Sequence, residues 1–438
     1  MSKQGIGNYR YRILALLIYA TTINYFDRSL IGVLAPTLEK MFGWSNSDYA
    51  NIMISFKVAY AIGMLTMGGI IDRLGTKNGY TLAIGIWSVF GMLHAAVRPA
   101  FSIIGFSLAR FGLGFGESGH FPAAQKTVAE WFPKKERAFA TGLYNAATSI
   151  GAIAAPFVVS WVVVEATGKN WQIPFLITGA LSTLWVILWR RTYTKPEDNK
   201  HLSKEELAYI ESDSTVETKE KLAWVKVLPK RQTWAFAAAK LTDAVWWFYL
   251  FWGAKFLADT FDVSLKNIGI PFFIMYALAD GGSILGGWLS GKFLNQGWSV
   301  NKARKMTLLI CAIIILPVAY VAVTDNKWLA VVLIGIGAAG HQAWSANIFT
   351  LVSDVFPKKA VASVTGIGGM MGAVAGIVGD ALLGSVLDQA GNSGYFWAFL
   401  IAGSCYLIIL GFIHLLMPKM TPLDENLNPV PDSAAAGS

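Results

Sequence analysis

"FPKKERAFATG" occupies residues 132–142, and "FPKKAVASVTG" occupies residues 356–366. The two stretches agree at seven of eleven positions without a gap, and 224 residues separate them in a chain of 438. The acidic residue shortly before each stretch repeats at the same distance, as Glu130 and Asp354. A repetition at about half the chain length predicts two related halves.

The composition indicates a membrane protein. Hydrophobic residues make up 54% of the chain and charged residues 14%, whereas soluble domains carry about 25% charged residues. Spanning a bilayer takes about 20 mostly apolar residues in a helix. We find twelve such runs, at residues 13–35, 50–71, 79–97, 102–124, 138–161, 172–189, 233–257, 269–291, 305–323, 329–352, 361–386 and 395–416.

The distribution of basic residues predicts the orientation. The chain has 36 Lys and Arg, and most of them fall in the loops of one face. The loops of the other face carry only five, namely Lys40, Arg98, Lys169, Lys266 and Lys327. Because cytoplasmic loops are enriched in Lys and Arg, both termini are expected in the cytoplasm. This topology accounts for the net charge of +9 without a nucleic-acid partner.

The repeat fits this topology. Six predicted crossings separate the two FPKK stretches, so both lie on the same face, as in a parallel repeat of two six-helix halves. Coincidence between two basic loops is the alternative. The predicted organisation is an N-terminal six-helix bundle (1–190), a cytoplasmic linker (191–232), a C-terminal six-helix bundle (233–417) and a disordered cytoplasmic tail (418–438). The linker stretch "LSKEEL" predicts a short helix capped by Ser203.

Two motifs that suggest nucleotide binding lie in the wrong context. "GFGESG" at 114–119 and "GIGAAG" at 335–340 match G-x-G-x-x-G, but that fingerprint needs a preceding strand, and both matches lie inside predicted spans. Close helix packing explains them better. The sequence has no G-x-x-x-x-G-K-[ST], H-E-x-x-H, G-x-S-x-G or paired C-x-x-C motif. We therefore expect no enzyme activity, no cofactor and no metal.

"GGIIDRLGTK" at 68–77 lies where the second span ends in a very short loop. Asp72 could pair with basic groups of a neighbouring loop, and Arg137 is a candidate partner. A solvated basic turn is the simpler alternative. The sequence predicts a cytoplasmic gate that comprises Gly68, Asp72, Arg73, Gly75, Glu130, Arg137 and Asp354.

Four ionisable residues lie inside predicted spans: Asp27 and Arg28 in the first, and Arg110 and Glu117 in the fourth. Each costs at least about 2.5–3.5 kcal/mol at a helix centre. Arg110 and Glu117 share a helix face, about 10 Å apart along the axis. The residues could be internal ion pairs that only neutralise each other. Alternatively, an Arg fork binds a carboxylate and a buried carboxyl carries a proton, which predicts coupled binding of an organic anion and H⁺.

Further polar residues lie in the predicted spans. Lys240 and Asp243, three residues apart, are expected to pair. We expect a second group of polar side chains to line a substrate cavity, namely Tyr60, Asn145, Thr148, His341, Gln342, Ser345 and Asn347.

From Tyr9 to Pro418 the chain resembles the major facilitator superfamily. "GGIIDRLGTK" is similar to the signature loop of that superfamily. "NYFDRS", "EWFPKKERAFATGLYNAATSIGA", "LTDAVWWFYLFWGAKFL" and "HQAWSANIFTLVSDVFPKKAVASVTGIGG" resemble its anion:cation symporter branch, in particular bacterial hexuronate transporters. The resemblance implies proton coupling at Asp27 and Glu117, substrate-carboxylate binding and its coupling at Arg28 and Arg110, and a cavity tyrosine at Tyr60.

The expected function is therefore proton-coupled import of glucuronate or galacturonate by alternating access in a bacterial inner membrane. The expected partners are the sugar acid, protons and the lipid bilayer, and the protein is expected to function as a monomer. Three alternatives stay open. The cargo could be another sugar acid or carboxylate, such as galactonate, glucarate or tartrate; coupling could use Na⁺; or the protein could be a non-transporting membrane sensor.

Overall fold

A computed structural model describes residues 7–164, 167–212 and 224–430. These residues are almost entirely helical, and within them only two isolated β-bridges occur, Val164 with Lys169 and Leu423 with Pro429. The α-helices are α1 Tyr9–Phe42, α2 Asn46–Leu93, α3 Ser102–Glu117, α4 His120–Trp131, α5 Lys134–Val162, α6 Gln172–Thr192, α7 Lys204–Glu211, α8 Trp224–Val227, α9 Arg231–Lys240, α10 Asp243–Phe261, α11 Gly269–Asn295, α12 Val300–Ile315, α13 Lys327–Val355, α14 Lys358–Ala390 and α15 Gly394–Leu416.

Each predicted apolar run coincides with helix, so the predicted all-α fold with twelve long helical passages is confirmed. In the described residues, eight stretches are long and apolar enough to cross a membrane. Two of them, Asn46–Ala96 and Lys359–Leu416, contain 51 and 58 residues, which suffices for two crossings each. The helices α1, α9 and α10 lie outside these eight stretches, and they carry several of the ionisable residues discussed below.

A glycine makes the turn between the second and third runs. Gly75 has φ 75° and ψ 161° inside α2, a conformation that side chains with a Cβ rarely adopt. The helical hydrogen-bonding pattern continues on both sides of Gly75. The predicted loop between residues 71 and 79 is therefore reduced to a break at one residue.

Glycines inside the runs allow helices to approach closely. A Cβ added to Gly114 would lie 2.5 Å from the backbone oxygen of Phe56, and one added to Gly116 would lie 2.6 Å from the backbone nitrogen of Trp87. In the second G-x-G-x-x-G match, a Cβ on Gly340 would clash with the side chain of Ile315. The interpretation of both motifs as packing motifs is confirmed.

The residue contacts divide the chain into two compact units. The first comprises Met1–Trp44, Asn51–Thr218 and Ser264–Gly269, and the second comprises Ser45–Ala50, Lys219–Val263 and Ile270–Ser438. In the first unit α1 packs mainly on α5 and α6; in the second, α9 packs on α14 and α15, and α12 on α13 and α15. The main division falls inside the predicted linker 191–232, of which residues 213–223 lie outside the described residues.

The described parts of the linker and of the C-terminal tail form defined hydrogen bonds. Ser203 caps α7 by accepting a hydrogen bond from the Glu206 backbone nitrogen at 3.1 Å, as predicted. The tail prediction needs correction for residues 418–430. Leu423 N donates to Val355 O at 2.8 Å, and Leu423 and Leu427 are 6% and 3% exposed, because these leucines bury apolar surface. Residues 431–438 lie outside the described residues.

Candidate functional site

An ion pair between two helices of the first unit forms the centre of the site. Arg28 Nε on α1 lies 2.6 Å from Glu117 Oε2 at the end of α3. The two side chains are 3% and 0% exposed. Burying an ion pair is costly, and removing one partner alone leaves an uncompensated charge that costs about 3–5 kcal/mol. Arg28 and Glu117 therefore depend on each other.

Aromatic rings surround the Arg28 guanidinium. Its carbon lies 4.7 Å from the Tyr60 ring centroid, 5.0 Å from that of Tyr25 and 5.7 Å from that of Phe56. Cations are attracted to ring faces at these distances. Phe56 is buried, whereas Tyr25 and Tyr60 are half-buried. The two tyrosines therefore form the more accessible side of the Arg28 environment.

The second arginine lies against the first. Arg110 is fully buried, and its Nη2 donates to the backbone oxygen of Arg28 at 3.3 Å. Its guanidinium carbon lies 5.0 Å from the Phe56 centroid, so one ring contacts both cations. Asp27 is also buried and interacts electrostatically with Glu117 and Arg110. The structure thus brings together the four charged residues that the sequence singled out.

Sequence reasoning missed the neutral polar residues around this cluster. His120 is fully buried and makes two hydrogen-bond contacts, Nε2 with Thr21 Oγ1 at 2.9 Å and Nδ1 with Tyr80 Oη at 2.8 Å. Asn24 is fully buried one turn before Arg28. The available signal was the spacing of Thr21, Asn24 and Arg28, which places them on one face of α1.

Two helices are interrupted beside ionisable residues. Between α3 and α4, directly after Glu117, Gly119 N donates to Gly116 O at 3.2 Å. Between α9 and α10, Leu241 N donates to Ala238 O at 3.1 Å. These are the tighter i→i+3 bonds, and such turns within a longer helix often mark functional positions. Discontinuous helices also occur at the binding sites of many secondary transporters.

In the second unit, an ion pair spans the interruption between α9 and α10. Lys240 Nζ lies 2.5 Å from Asp243 Oδ2, so the predicted pairing is confirmed. In the same unit His341 Nδ1 lies 2.7 Å from Tyr406 Oη, and the His341 ring stacks on Trp246 at 5.5 Å between centroids. The sequence singled out neither Trp246 nor Tyr406, because membrane aromatics are more often packing residues.

The other predicted cavity residues differ in exposure. On α13, Gln342 and Ser345 are half-buried, and on α5 Asn145 is exposed and Thr148 half-buried. Asn347 is buried, and its Nδ2 donates to the backbone oxygens of Gly286 at 3.1 Å and of Ala343 at 2.9 Å. The amide nitrogen of Asn347 thus holds two helices together.

The predicted gate residues of the first unit have local partners. Asp72 Oδ1 lies 2.8 Å from Lys126 Nζ, so Lys126 is a partner that the sequence did not suggest. Arg137 donates from Nε to the Phe132 oxygen and from Nη2 to the Ala129 oxygen, which satisfies carbonyls at the end of α4. A Cβ added at Gly68 would meet open space, and Arg73 is exposed.

The two repeated acidic residues both accept hydrogen bonds. Glu130 accepts from Thr76 Oγ1 at 2.7 Å and from Tyr193 Oη. Asp354 accepts from Arg304 Nε at 2.8 Å. The repeat therefore retains an acidic anchor in each half, but the anchor binds neutral hydroxyls in one half and a guanidinium in the other.

Comparison with known families identifies the fold. The family model of the Major Facilitator Superfamily matches residues 17–380. The chain belongs to the Major Facilitator Superfamily. A solved structure supports the fold: a bacterial homologue of the human lysosomal transporter Spinster, in an inward-facing, unoccupied conformation, matches with a TM-score of 0.75 at 20% identity, over 96% of this chain and 98% of that chain.

Two relatives of this chain are named as transporters of sugar acids. The hexuronate transporter of Escherichia coli K12 is 34% identical over 399 residues, which cover 89% of this chain and 90% of the relative. The galacturonate transporter of Dickeya chrysanthemi is 32% identical over 334 residues, which cover 74% of this chain and 94% of the relative. The chain is therefore a multi-pass membrane transporter, and the resemblance seen in its motifs is confirmed.

Proposed function

We propose that this transporter imports hexuronates, such as glucuronate and galacturonate, together with protons. The observation that carries the proposal is the buried Arg28–Glu117 ion pair, 2.6 Å long, beneath two half-buried tyrosines. It supports an exchange mechanism, in which a substrate carboxylate and the Glu117 carboxylate compete for one guanidinium.

Without substrate, the Glu117 carboxylate neutralises Arg28. Protonation of Glu117 removes the negative charge and leaves the Arg28 cation buried, which is unfavourable. A sugar carboxylate restores neutrality, because a guanidinium offers paired N–H groups that match two carboxylate oxygens. Protonation of Glu117 therefore favours binding of the sugar carboxylate to Arg28, and a bound sugar carboxylate favours protonation of Glu117.

Asp27 supplies a second buried carboxyl group in the cluster. In the proposal it takes part in proton coupling with Glu117, as the resemblance implies. Arg110 keeps Arg28 in place through the bond to its backbone oxygen and adds positive potential.

The remaining polar residues are proposed to contact the sugar hydroxyls. Tyr60 is half-buried and lies over the Arg28 guanidinium. Within the second unit, His341, Gln342 and Ser345 are proposed to contact sugar hydroxyls, and the ring of Trp246 is proposed to pack on a sugar ring. Asn145 and Thr148 complete the proposed set. The site would be exposed alternately to the two sides of the membrane, and this would move the substrate. Glu130 and Asp354 are proposed to belong to the cytoplasmic gate.

The proposed setting is a bacterial inner membrane with both termini in the cytoplasm and with the monomer as the functional unit. The basic residues of the loops support this orientation, and the two relatives described above are bacterial proteins.

The test is uptake of radiolabelled galacturonate into proteoliposomes. An inward proton gradient should drive accumulation, and an inward Na⁺ gradient at equal pH should not. Unlabelled glucuronate should compete strongly, whereas galactonate, glucarate and tartrate should compete more weakly. Accumulation that follows Na⁺ and ignores pH would refute proton coupling. Competition by galactonate or tartrate alone would assign another cargo to the same site.

A further inference from the structure

A groove of about 510 Å³ opens between the start of α1 and the end of α6 in the first unit. These two helix ends lie side by side, since Tyr9 Oη donates to the Thr192 backbone oxygen at 3.0 Å. The groove is separate from the Arg28–Glu117 site and shares no residue with it. Its lining residues are Tyr9, Arg12, Ala15, Leu16, Tyr19, Leu188, Arg191, Thr192 and His201.

Two arginines give the groove a positive end. Arg12 and Arg191 are both exposed, and none of the described residues that line the groove is acidic. Within the described residues, no ion pair or side-chain hydrogen bond involves Arg12 or Arg191; Arg12 lies 5.4 Å from the centroid of the Tyr9 ring. The charges of Arg12 and Arg191 are therefore available to an anion.

A neighbouring arginine shows the contrast. Arg10, two residues before Arg12, is buried and pairs with Glu136 and Glu206, each at 3.1 Å. Among the residues that the structure describes, the start of α1 thus has one arginine that pairs with two glutamates and one arginine, in the groove, that has no acidic partner. A general excess of cations at this helix end would not explain why Arg10 pairs with carboxylates whereas Arg12 lines the groove.

The other end of the groove is apolar. Ala15, Leu16 and Leu188 line it, and Leu188 is 37% exposed. From Arg12 to Tyr19 the groove follows α1 for about 10 Å towards the middle of the helix. Tyr9 and Tyr19 fix its polar edges through hydrogen bonds to Thr192 O and Leu181 O, both 3.0 Å. The groove therefore has a cationic head at the helix ends and an apolar channel along the helices.

We propose that this groove binds an anionic phospholipid. Its phosphodiester would lie between Arg12 and Arg191, beside His201, and the first part of one acyl chain would follow Ala15, Leu16 and Leu188. Basic pockets between transmembrane helices at the membrane surface bind such headgroups. The inference is independent of the proposed substrate and coupling ion, and it requires only that α1 and α6 cross the membrane with their joined ends at its surface.

Native mass spectrometry of the full-length protein in detergent tests this site. The probes are dioleoylphosphatidylglycerol and dioleoylphosphatidylcholine, which share acyl chains and differ in headgroup charge. We expect the parent protein to retain phosphatidylglycerol in preference to phosphatidylcholine. Each cation near a lipid phosphate contributes roughly fivefold in affinity, so the double variant R12Q/R191Q should bind phosphatidylglycerol about 25-fold more weakly.

The control variant K226Q/K230Q also removes two positive charges, from residues that do not line the groove, and should retain phosphatidylglycerol like the parent. If R12Q/R191Q does not fold, R12K/R191K keeps the charges and should keep the lipid preference. Equal retention of both lipids by the parent, or equal effects of R12Q/R191Q and K226Q/K230Q, would overturn the proposal. Displacement of the lipid by millimolar glycerophosphoglycerol, the headgroup without chains, would also overturn it, since the groove would then be a site for a soluble phosphodiester.

Discussion

Arg28 Nε and Glu117 Oε2 lie 2.6 Å apart although 89 residues separate them in the chain. The pair is buried within a helical unit, where each charge requires the other. If the pair never opened, it would contribute only to the stability of the fold, and two packed hydrophobic side chains could contribute as much. The aromatic residues around Arg28 and the half-buried position of Tyr25 and Tyr60 favour a pair that opens to a ligand.

The guanidinium of Arg28 should be required for its shape as well as its charge. Arg28→Lys keeps the charge but loses the planar fork that matches a carboxylate. We expect the substrate to lose about 1.5–3 kcal/mol of binding free energy, which corresponds to a rise of roughly tenfold or more in the KM for galacturonate uptake. The control is Arg98→Lys, at an exposed position, which should leave KM unchanged. An unchanged KM in Arg28→Lys would argue against carboxylate binding by this residue.

Close packing at Gly114 should limit the stability of the first unit. A Cβ in Gly114→Ala would lie 2.5 Å from the Phe56 backbone oxygen, and such overpacking costs about 1–3 kcal/mol. Thermal unfolding in detergent should therefore show a lower Tm. Gly142→Ala is the matched control, because nothing lies within 4 Å of the added Cβ, and it should match the parent or exceed its Tm. Equal Tm values for the two variants would contradict the packing argument.

Glu206 should anchor α7 to the first unit. Its carboxylate accepts from the backbone nitrogens of Tyr9 and Arg10 and from Arg10 Nη1, each at 3.1 Å. A second anchor is Tyr209, which donates to Glu136 Oε1 at 2.7 Å. That hydrogen bond raises the pKa of Tyr209, so its hydroxyl stays a donor at neutral pH.

Removing the first anchor in Glu206→Ala should make protease cleavage between residues 191 and 232 faster, because α7 would separate from α1 more often. The exposed neighbour provides the control in Glu205→Ala. We expect the parent cleavage rate for Glu205→Ala and a rate several-fold higher for Glu206→Ala. The same rate in both variants would mean that Glu206 does not hold the helix.

Much of the fold could be predicted because the membrane imposes strong patterns on sequence. Twelve apolar runs and the repeated FPKK stretches predicted the helices, and glycines inside the runs predicted close packing. Two details of the fold depend on a few residues whose conformation or burial these patterns do not predict. Gly75 reduces a loop to a break in α2, and Leu423 and Leu427 bury themselves within a segment that is otherwise polar.

The site was predictable only in its charges. Ionisable residues in apolar runs are conspicuous, so Asp27, Arg28, Arg110 and Glu117 were found. Helix periodicity places Arg110 and Glu117 on one face, but it does not show that Glu117 pairs with Arg28, since that pairing depends on the rotation of α1 against α3. His120 was missed because its hydrogen-bond partners come from distant parts of the chain.

Glu117→Gln tests the central claim most directly, with Glu205→Gln as the control. Gln is neutral, like a protonated Glu, and cannot release a proton. Exchange of labelled galacturonate between equal concentrations across the membrane needs no net proton movement, so Glu117→Gln should retain it. Accumulation under an inward proton gradient should be lost in Glu117→Gln and retained in Glu205→Gln. Accumulation at the parent level by Glu117→Gln would contradict the assignment of proton coupling to the Arg28–Glu117 pair.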